Sequence, residues 1–204
     1  MPARLLAATC LSALIASVFV VTPKQVESHE GHDHEPDAFL VYVGTYTGPK
    51  SEGIYTFRFD RKSGKLTPVN QPTKTSNPSF VAVHPSGNYL FAVNEDAEFN
   101  GEKGGGITSY SIDAKTGALT EINSQCTHGE HPCHLTVDKT GRTVGVANYT
   151  GGSIAAYQIG RDGTLSPAST FVQHQGKSVH PRQEAPHGHS IDVDPENRFV
   201  AVSD

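Results

Sequence analysis

Three stretches of this chain repeat one pattern: FVAVHPSGNYLFAVNE (80–95), HLTVDKTGRTVGVANY (134–149) and SIDVDPENRFVAVSD (190–204). Each holds an alternating apolar–polar run, a turn carrying Gly or Asn, and a second alternating run that closes on Asn or Asp. The equivalent residues Val81, Leu135 and Ile191 stand 54 and 56 residues apart. A second module accompanies the first: GIYTFRFDRKSGKLTPV (53–69), GITSYSIDAKTGALTEI (106–122) and SIAAYQIGRDGTLSPAS (153–169). Period-2 hydrophobicity marks strands, and Ser-Gly, Thr-Gly or Asp-Gly between two such runs is hairpin chemistry. Four antiparallel strands recurring every fifty-odd residues predict an all-β fold, a β-propeller of four-stranded blades.

The blades are expected at about 39–75, 76–125, 130–174 and 185–204, the last ending after its second strand. FLVYVGTY (39–46) matches a second strand, so blade one lacks its innermost strand, the place that the last strand of a closed propeller fills. Propellers close with roughly 4–8 blades, and about three and a half are present here. The chain is therefore expected to be part of a longer protein, with a short form that dimerises into a ring as the alternative. With 20 Gly, 13 Pro and no Trp, the composition suits many short strands. A net charge of -5 and the lack of any Lys/Arg run exclude a nucleic-acid-binding field.

The N-terminus reads differently. Arg4 precedes an apolar run from Leu5 to Val21, interrupted only by Thr9, Ser12 and Ser17. This is the pattern of a secretory signal over 1–28, cleaved after Ser28, so that the mature protein is exported without stable membrane insertion; an uncleaved anchor is the alternative. The tract HEGHDHEPD follows, and 29–38 reads as a disordered tail in which His29, His32 and His34 bind divalent metal loosely or not at all. Once Cys10 is removed, Cys126 and Cys133 remain, either as a disulfide that an oxidising compartment allows or as two free thiols. Their spacing makes no zinc pattern.

In a four-stranded meander, first-strand starts, second-strand ends and third-strand starts share one edge. His134, His187 and His189 open first strands. Asn94, Glu95, Asn148 and Asp204 close second strands, and Gly105–Gly106 and Gly151–Gly152 open third ones. Arg182 and Gln183 lie in the connection from the third blade to the fourth. All gather on one rim near the axis, while His84 and the Lys-Thr-Gly turns belong to the other rim. Each also has a plainer role: the imidazoles as fasteners of a blade junction, the Asn side chains as turn caps. His128 and His131 sit in a loop with no partner evident from the sequence.

VGTYTG, NPSFVAVHPSGNYLFAVNE, PCHLTVD, ANYTGGSI, RQEAPHGHS and DVDP together resemble the seven-bladed propeller lactonases typified by bacterial 6-phosphogluconolactonase, from Phe39 to Asp204. Cycloisomerases that form a muconolactone are related to the same family. The resemblance implies seven blades, no cofactor, and hydrolysis of an anionic sugar lactone. PHGHS matches the family's Pro-His-x-His, which makes His189 the first candidate for proton transfer with His187 beside it, and Arg182 the holder of the anionic group. His134 and Gln183 would orient substrate, and Asn148 and Glu95 would form the pocket wall. Family members continue with Gly-Pro-Arg-His and Asn-Glu-Leu stretches that complete the site, and neither occurs among these 204 residues. Three other readings stand beside this one: a lactone-forming isomerase, a secreted propeller that binds without catalysis, and a metal-dependent lactonase using Glu95, Asn94, Asn148 and Asp204 as oxygen ligands.

Overall fold

The computed structural model describes residues 15–21 and 37–204. The first sheet holds β1 (Ile15–Val21), β2 (Ala38–Thr45), β3 (Gly53–Asp60) and β4 (Leu66–Pro68), with β5 (Thr73–Lys74) also paired to β3. The second holds β6 (Val81–Val83) and β7 (Tyr89–Asn94), then, after a small rim hairpin of β8 (Glu98–Phe99) and β9 (Glu102–Lys103), β10 (Gly106–Ile112) and β11 (Leu119–Cys126). The third runs through β12 (Pro132–Val137), β13 (Thr143–Asn148), β14 (Ser153–Gln158) and β15 (Thr170–Gln173); the fourth has β16 (Ser190–Val193) and β17 (Val200–Ser203). Every pairing is antiparallel between neighbours in sequence order, apart from the β8–β9 excursion and β5. Among the described residues the one helical turn is a 3₁₀ turn at Pro181–Gln183.

Each first strand stands beside the next blade's first strand: β1 beside β6, β6 beside β12, β12 beside β16. Val81, Leu135 and Ile191, equivalent by sequence, lie on these inner strands and are all buried. Blade one does not lack its inner strand, contrary to the expectation. β1 pairs with the edge of β2, Val18 opposite Val43 and Val21 opposite Leu40. An unpaired inner edge would leave the N–H and C=O groups of β2 bare, and β1 bonds them. β1 falls within the segment read as an export signal; the rest of that segment, and the His/acid tract up to Pro36, lie outside the described residues.

The core follows from strand alternation. In β7, Leu90 and Ala92 join Tyr42, Ile54, Val81 and Tyr110 between the first and second sheets. Phe91 and Val93 point the other way and join Ile107, Leu135, Val144, Val146 and Tyr157 between the second and third. A strand buried on both faces belongs to sheets stacked face to face, each large side chain contributing roughly 1.5–3 kcal/mol by leaving water. The outer strands β4 and β15 are exposed throughout.

Hairpin turns clip the blades together. Gly64, Gly117 and Gly163 occupy equivalent third-to-fourth-strand turns with φ of 68°, 70° and 83°, left-handed values that favour glycine. A methyl added at Gly117 would stand 2.9 Å from Leu40, and one at Gly163 would stand 2.5 Å from Tyr89, both on the preceding blade. Tyr42 donates to the Gly117 carbonyl at 2.9 Å, and Ser109 to that of Gly163 at 2.6 Å. At Gly64 the space is open, because no preceding blade stands there among the described residues. On the same rim, at the first-to-second-strand turns, His84 Nε2 meets the Gly141 carbonyl at 2.8 Å, and Asn197 donates to Asp138 at 3.1 Å. A groove of about 320 Å³ lies between the third and fourth sheets, lined by Thr136, Gly145, Ala155, Ile191, Phe199 and Val200. It is an apolar seam beside the two-stranded fourth sheet, and its lining includes none of His134, Asn148, Arg182, Gln183, His187, His189 and Glu95.

Candidate active site

The strand ends put two imidazoles against one aromatic ring. Tyr149 follows β13, and its ring stacks on His187 at 4.9 Å and 21°, while His189 meets it edge-on at 5.2 Å. His187 Nδ1 lies 3.2 Å from the Tyr149 carbonyl. A carbonyl only accepts, so Nδ1 carries the proton and Nε2 of the neutral ring is left as the basic nitrogen. Beneath this pair Asp204 acts as a hub. Its Oδ1 accepts the backbone N–H of His187 at 2.6 Å and the Gln183 amide at 3.0 Å, and its Oδ2 meets His174 Nδ1 at 3.0 Å. Burial pushes the Asp204 carboxyl up, but the bonds from His187, His174 and Gln183 outweigh it and hold the group below the usual carboxylate range.

His134 sits on β12, half-buried, with its ring 4.1 Å from that of Phe80. The Ile191 N–H donates to His134 Nδ1 at 3.2 Å, tying the inner strands of blades three and four. Burial lowers its pKa, aided by the charge of His189 and opposed by Asp192. A nitrogen accepting that N–H carries no proton, so His134 is neutral with its proton on Nε2. The sign of the pH effect follows. A His whose folded pKa is depressed contributes fully above its ordinary value of 6.5 and loses that contribution as pH falls toward the folded value. Acidification below 6.5 is therefore expected to lower the hydrogen-exchange protection of the Ile191 amide ahead of those in β7. Equal loss in both strands would show that His134 does not fasten this junction.

Glu95, next along the rim, is held by Tyr46 at 2.9 Å and by the Ser79 hydroxyl. The phenol of Tyr46 is pushed up to about 12 by burial and by its bond to Glu95. Cys133 joins the two halves of the rim: its thiol lies 3.6 Å from the carbonyls of Gly188 and His189, and the Glu95 charge acts on it. Burial first, then Glu95, raise this thiol to about 12, so at neutral pH it is a protonated donor and no nucleophile. Cys126 bonds instead to the Lys103 carbonyl, and the two cysteines are free thiols.

The structure thus gathers His134, His187, His189, Gln183 and Glu95 along one mouth. Arg182 stands beside them on the 3₁₀ turn, exposed, its backbone N–H bonded to His180 and its guanidinium without a protein partner among the described residues. Asn148 departs from its expected place on the pocket wall. It is 0% exposed, its amide donating to Ser153 Oγ at 3.0 Å and the Thr127 carbonyl at 3.4 Å, so it supports the rim from below. Asn94 is likewise turned inward, onto Thr75, Ser76 and Thr108. Tyr149, Tyr46, Ser79 and His174 were not singled out from the sequence, and Cys133 was named only as a thiol, though Tyr149 lies in the ANYTGG motif and directly follows a second strand. Chemically, the mouth offers an imidazole base of fixed tautomer, a second imidazole, a neutral N–H donor, an aromatic platform and a free guanidinium.

This chain belongs to the lactonase family of seven-bladed β-propellers, whose pattern matches residues 40–204. More particularly, it is similar to the 6-phosphogluconolactonase of Bacillus subtilis (strain 168), 35% identical over 166 residues that make up 81% of this chain and 46% of that protein. The 6-phosphogluconolactonase of Formosa agariphila is 31% identical over 80% of this chain and 46% of its own length. Among solved structures, the periplasmic gluconolactonase of Pseudomonas aeruginosa superposes with a TM-score of 0.74 at 36% identity, covering 81% of this chain and 47% of that one. The chain spans about half the length of these relatives. Among the described residues no helix is long and apolar enough to cross a membrane.

Proposed function

We infer that the protein to which this chain belongs opens sugar lactones by hydrolysis, with the mouth built around Tyr149 as the reacting site. The observation that carries this reading is the His187–Tyr149 arrangement: the Nδ1–H bond to the Tyr149 carbonyl leaves Nε2 available as a base beside a flat aromatic face. Ester hydrolysis requires three things of a protein. A base must take a proton from water, a donor must meet the carbonyl oxygen as charge develops on it, and the ring oxygen must receive a proton as the bond to the carbonyl carbon breaks. His187 Nε2 fills the first role, and the same imidazolium, or His189 across the Tyr149 ring, returns the proton to the departing ring oxygen. His134 Nε2–H is the neutral donor for the oxyanion, while the Gln183 amide, spent on Asp204 and on the Ala185 carbonyl, holds the web beneath the histidines. Water adds across the acyl–oxygen bond, and the product is the open hydroxy acid.

Arg182 serves substrates that carry a phosphate or carboxylate, its guanidinium being a fork of donors. The proposal includes export, supported by the periplasmic description of the Pseudomonas relative; the N-terminal apolar run serves either as an export signal or as strand β1, since cleavage after Ser28 would remove β1. The test compares hydrolysis of glucono-δ-lactone with that of its 6-phosphate by the purified protein and by Arg182→Gln. A charge-assisted bond is worth about 1.5–3 kcal/mol, so kcat/KM for the phosphorylated lactone is expected to fall about 10- to 100-fold, with the neutral lactone unaffected. An equal change on both substrates removes Arg182 from anion recognition, and no turnover of either removes the lactonase reading.

A further inference from the structure

Glu102, Cys126 and His128 bring one carboxylate, one thiol and one imidazole together at the outer edge of the second blade. Their ligand atoms all lie within 4.8 Å of one another. None of the three belongs to the mouth described above. Glu102 lies on β9 of the rim hairpin, Cys126 ends β11, and His128 follows two residues later, so the cluster joins an excursion of the chain to the outermost strand. The geometry points to a binding site for a divalent cation of the zinc type, held by these three side chains with a fourth position open to solvent.

Several features support the assignment. Around a tetrahedral zinc, sulfur lies at about 2.3 Å and nitrogen and oxygen at about 2.0–2.2 Å, which places the ligands roughly 3.4–3.7 Å apart. Closing from the observed spacing needs side-chain adjustments of about an ångström, within reach of a Glu on a two-residue strand. His128 adopts φ 57°, a left-handed backbone unusual for a non-glycine residue, in the loop that returns its backbone to Cys126. Its own N–H donates to Cys126 Sγ at 3.3 Å, a bond that strengthens as the sulfur becomes anionic. Lys103, beside Glu102, is engaged by Glu130 at 3.2 Å, and among the described residues no cation pairs with Glu102. A thiolate, an imidazole and a carboxylate together suit zinc or cobalt over calcium or magnesium, which take oxygen alone. The thiol gives its proton to solvent on binding.

Cobalt(II) is the probe, because a thiolate ligand produces a sulfur-to-metal charge-transfer band and four-coordination produces intense visible bands. The full chain is titrated with His29, His32 and His34 replaced by Ala, so that the tail does not compete, and zinc is then added to displace the cobalt. A charge-transfer band that zinc abolishes is expected. Cys126→Ser is expected to remove the band, while Cys10→Ser and Cys133→Ser leave it. Glu102→Gln and His128→Asn, the latter chosen because Asn accepts a left-handed backbone, are expected to weaken cobalt binding at least about 100-fold, the upper end of the cost of losing a supporting bond. Because Glu102 is exposed, Glu102→Gln is read in a folded protein even if a Cys126 variant unfolds. A wild-type spectrum without the band, a band that follows Cys10 or Cys133, or unchanged affinity in Glu102→Gln overturns the site.

Discussion

Replacing His187 by alanine is expected to lower kcat for lactone opening by about 100- to 10,000-fold, the usual contribution of a positioned acid–base group. The expectation rests on orientation. Of the two histidines in PHGHS, His187 has its Nδ1–H fixed on the Tyr149 carbonyl and its backbone N–H fixed on Asp204, so its tautomer and its place are both set. His189 touches the Tyr149 ring by its edge only. The resemblance ranks His189 first, and the proposed mechanism gives that place to His187 on the strength of these two bonds. His187→Asn separates base from fastener, since its side-chain amide donates toward the same carbonyl but carries no basic nitrogen. It is expected to match alanine in kcat while keeping more thermal stability. Steady-state kinetics of the full gene product decides the matter. A deficit in His189→Ala alone exchanges the two roles, and near-normal turnover in both variants takes the pair out of the chemistry.

How much of this was legible beforehand depends on the range of each interaction. The blades were legible because period-2 burial is local and repeated: Val81, Leu135 and Ile191 take equivalent inner places once the strands alternate. The shared rim was legible for the same reason, since strand ends alone put His134, Glu95 and His187 on one side. What the pattern does not encode is which side chain is used up by its neighbours. Asn94 and Asn148 close equivalent strands and both are spent on partners beneath the rim, Thr75, Ser76 and Thr108 for one and Ser153 and the Thr127 carbonyl for the other, while the residues after them, Glu95 and Tyr149, stay at the mouth. The Asp204 web links residues 17 to 30 positions apart through a long connection without periodicity. Glu102 escaped notice because β8–β9 is a two-residue hairpin inserted into the repeat, too short for any alternation to show. The pairing of β1 with β2 was hidden by a different competition: its apolar run satisfies the rule for an export signal and equally the rule for a strand.

Tyr157→Ala is expected to destabilise the protein by about 3–5 kcal/mol, as for large aromatic truncations in well-packed cores. Tyr157 is 0% exposed on β14, packed among Phe91, Val93, Ile107, Leu135 and Val144, so its ring fills the interface between the second and third sheets. Its hydroxyl crosses that interface and donates to the Cys126 carbonyl at 2.8 Å. Burial, with a smaller contribution from Cys126, pushes the phenol far above its ordinary range, so it remains a donor at every pH at which the protein is handled. Two contributions are therefore lost together in the alanine variant. Tyr157→Phe keeps the ring and strands only the carbonyl, at about 1–3 kcal/mol. For a chain of this size each kcal/mol lowers Tm by roughly 2–4 °C, so the alanine variant is expected to melt some 6–20 °C below wild type. Urea titrations should shift the midpoint with the slope unchanged if the two blades unfold as one unit. A fall in slope, or separate transitions, would mean that the second and third blades come apart independently once Tyr157 is gone, and that the aromatic bridge, more than the glycine-turn clips at Gly117 and Gly163, is what makes neighbouring blades cooperative.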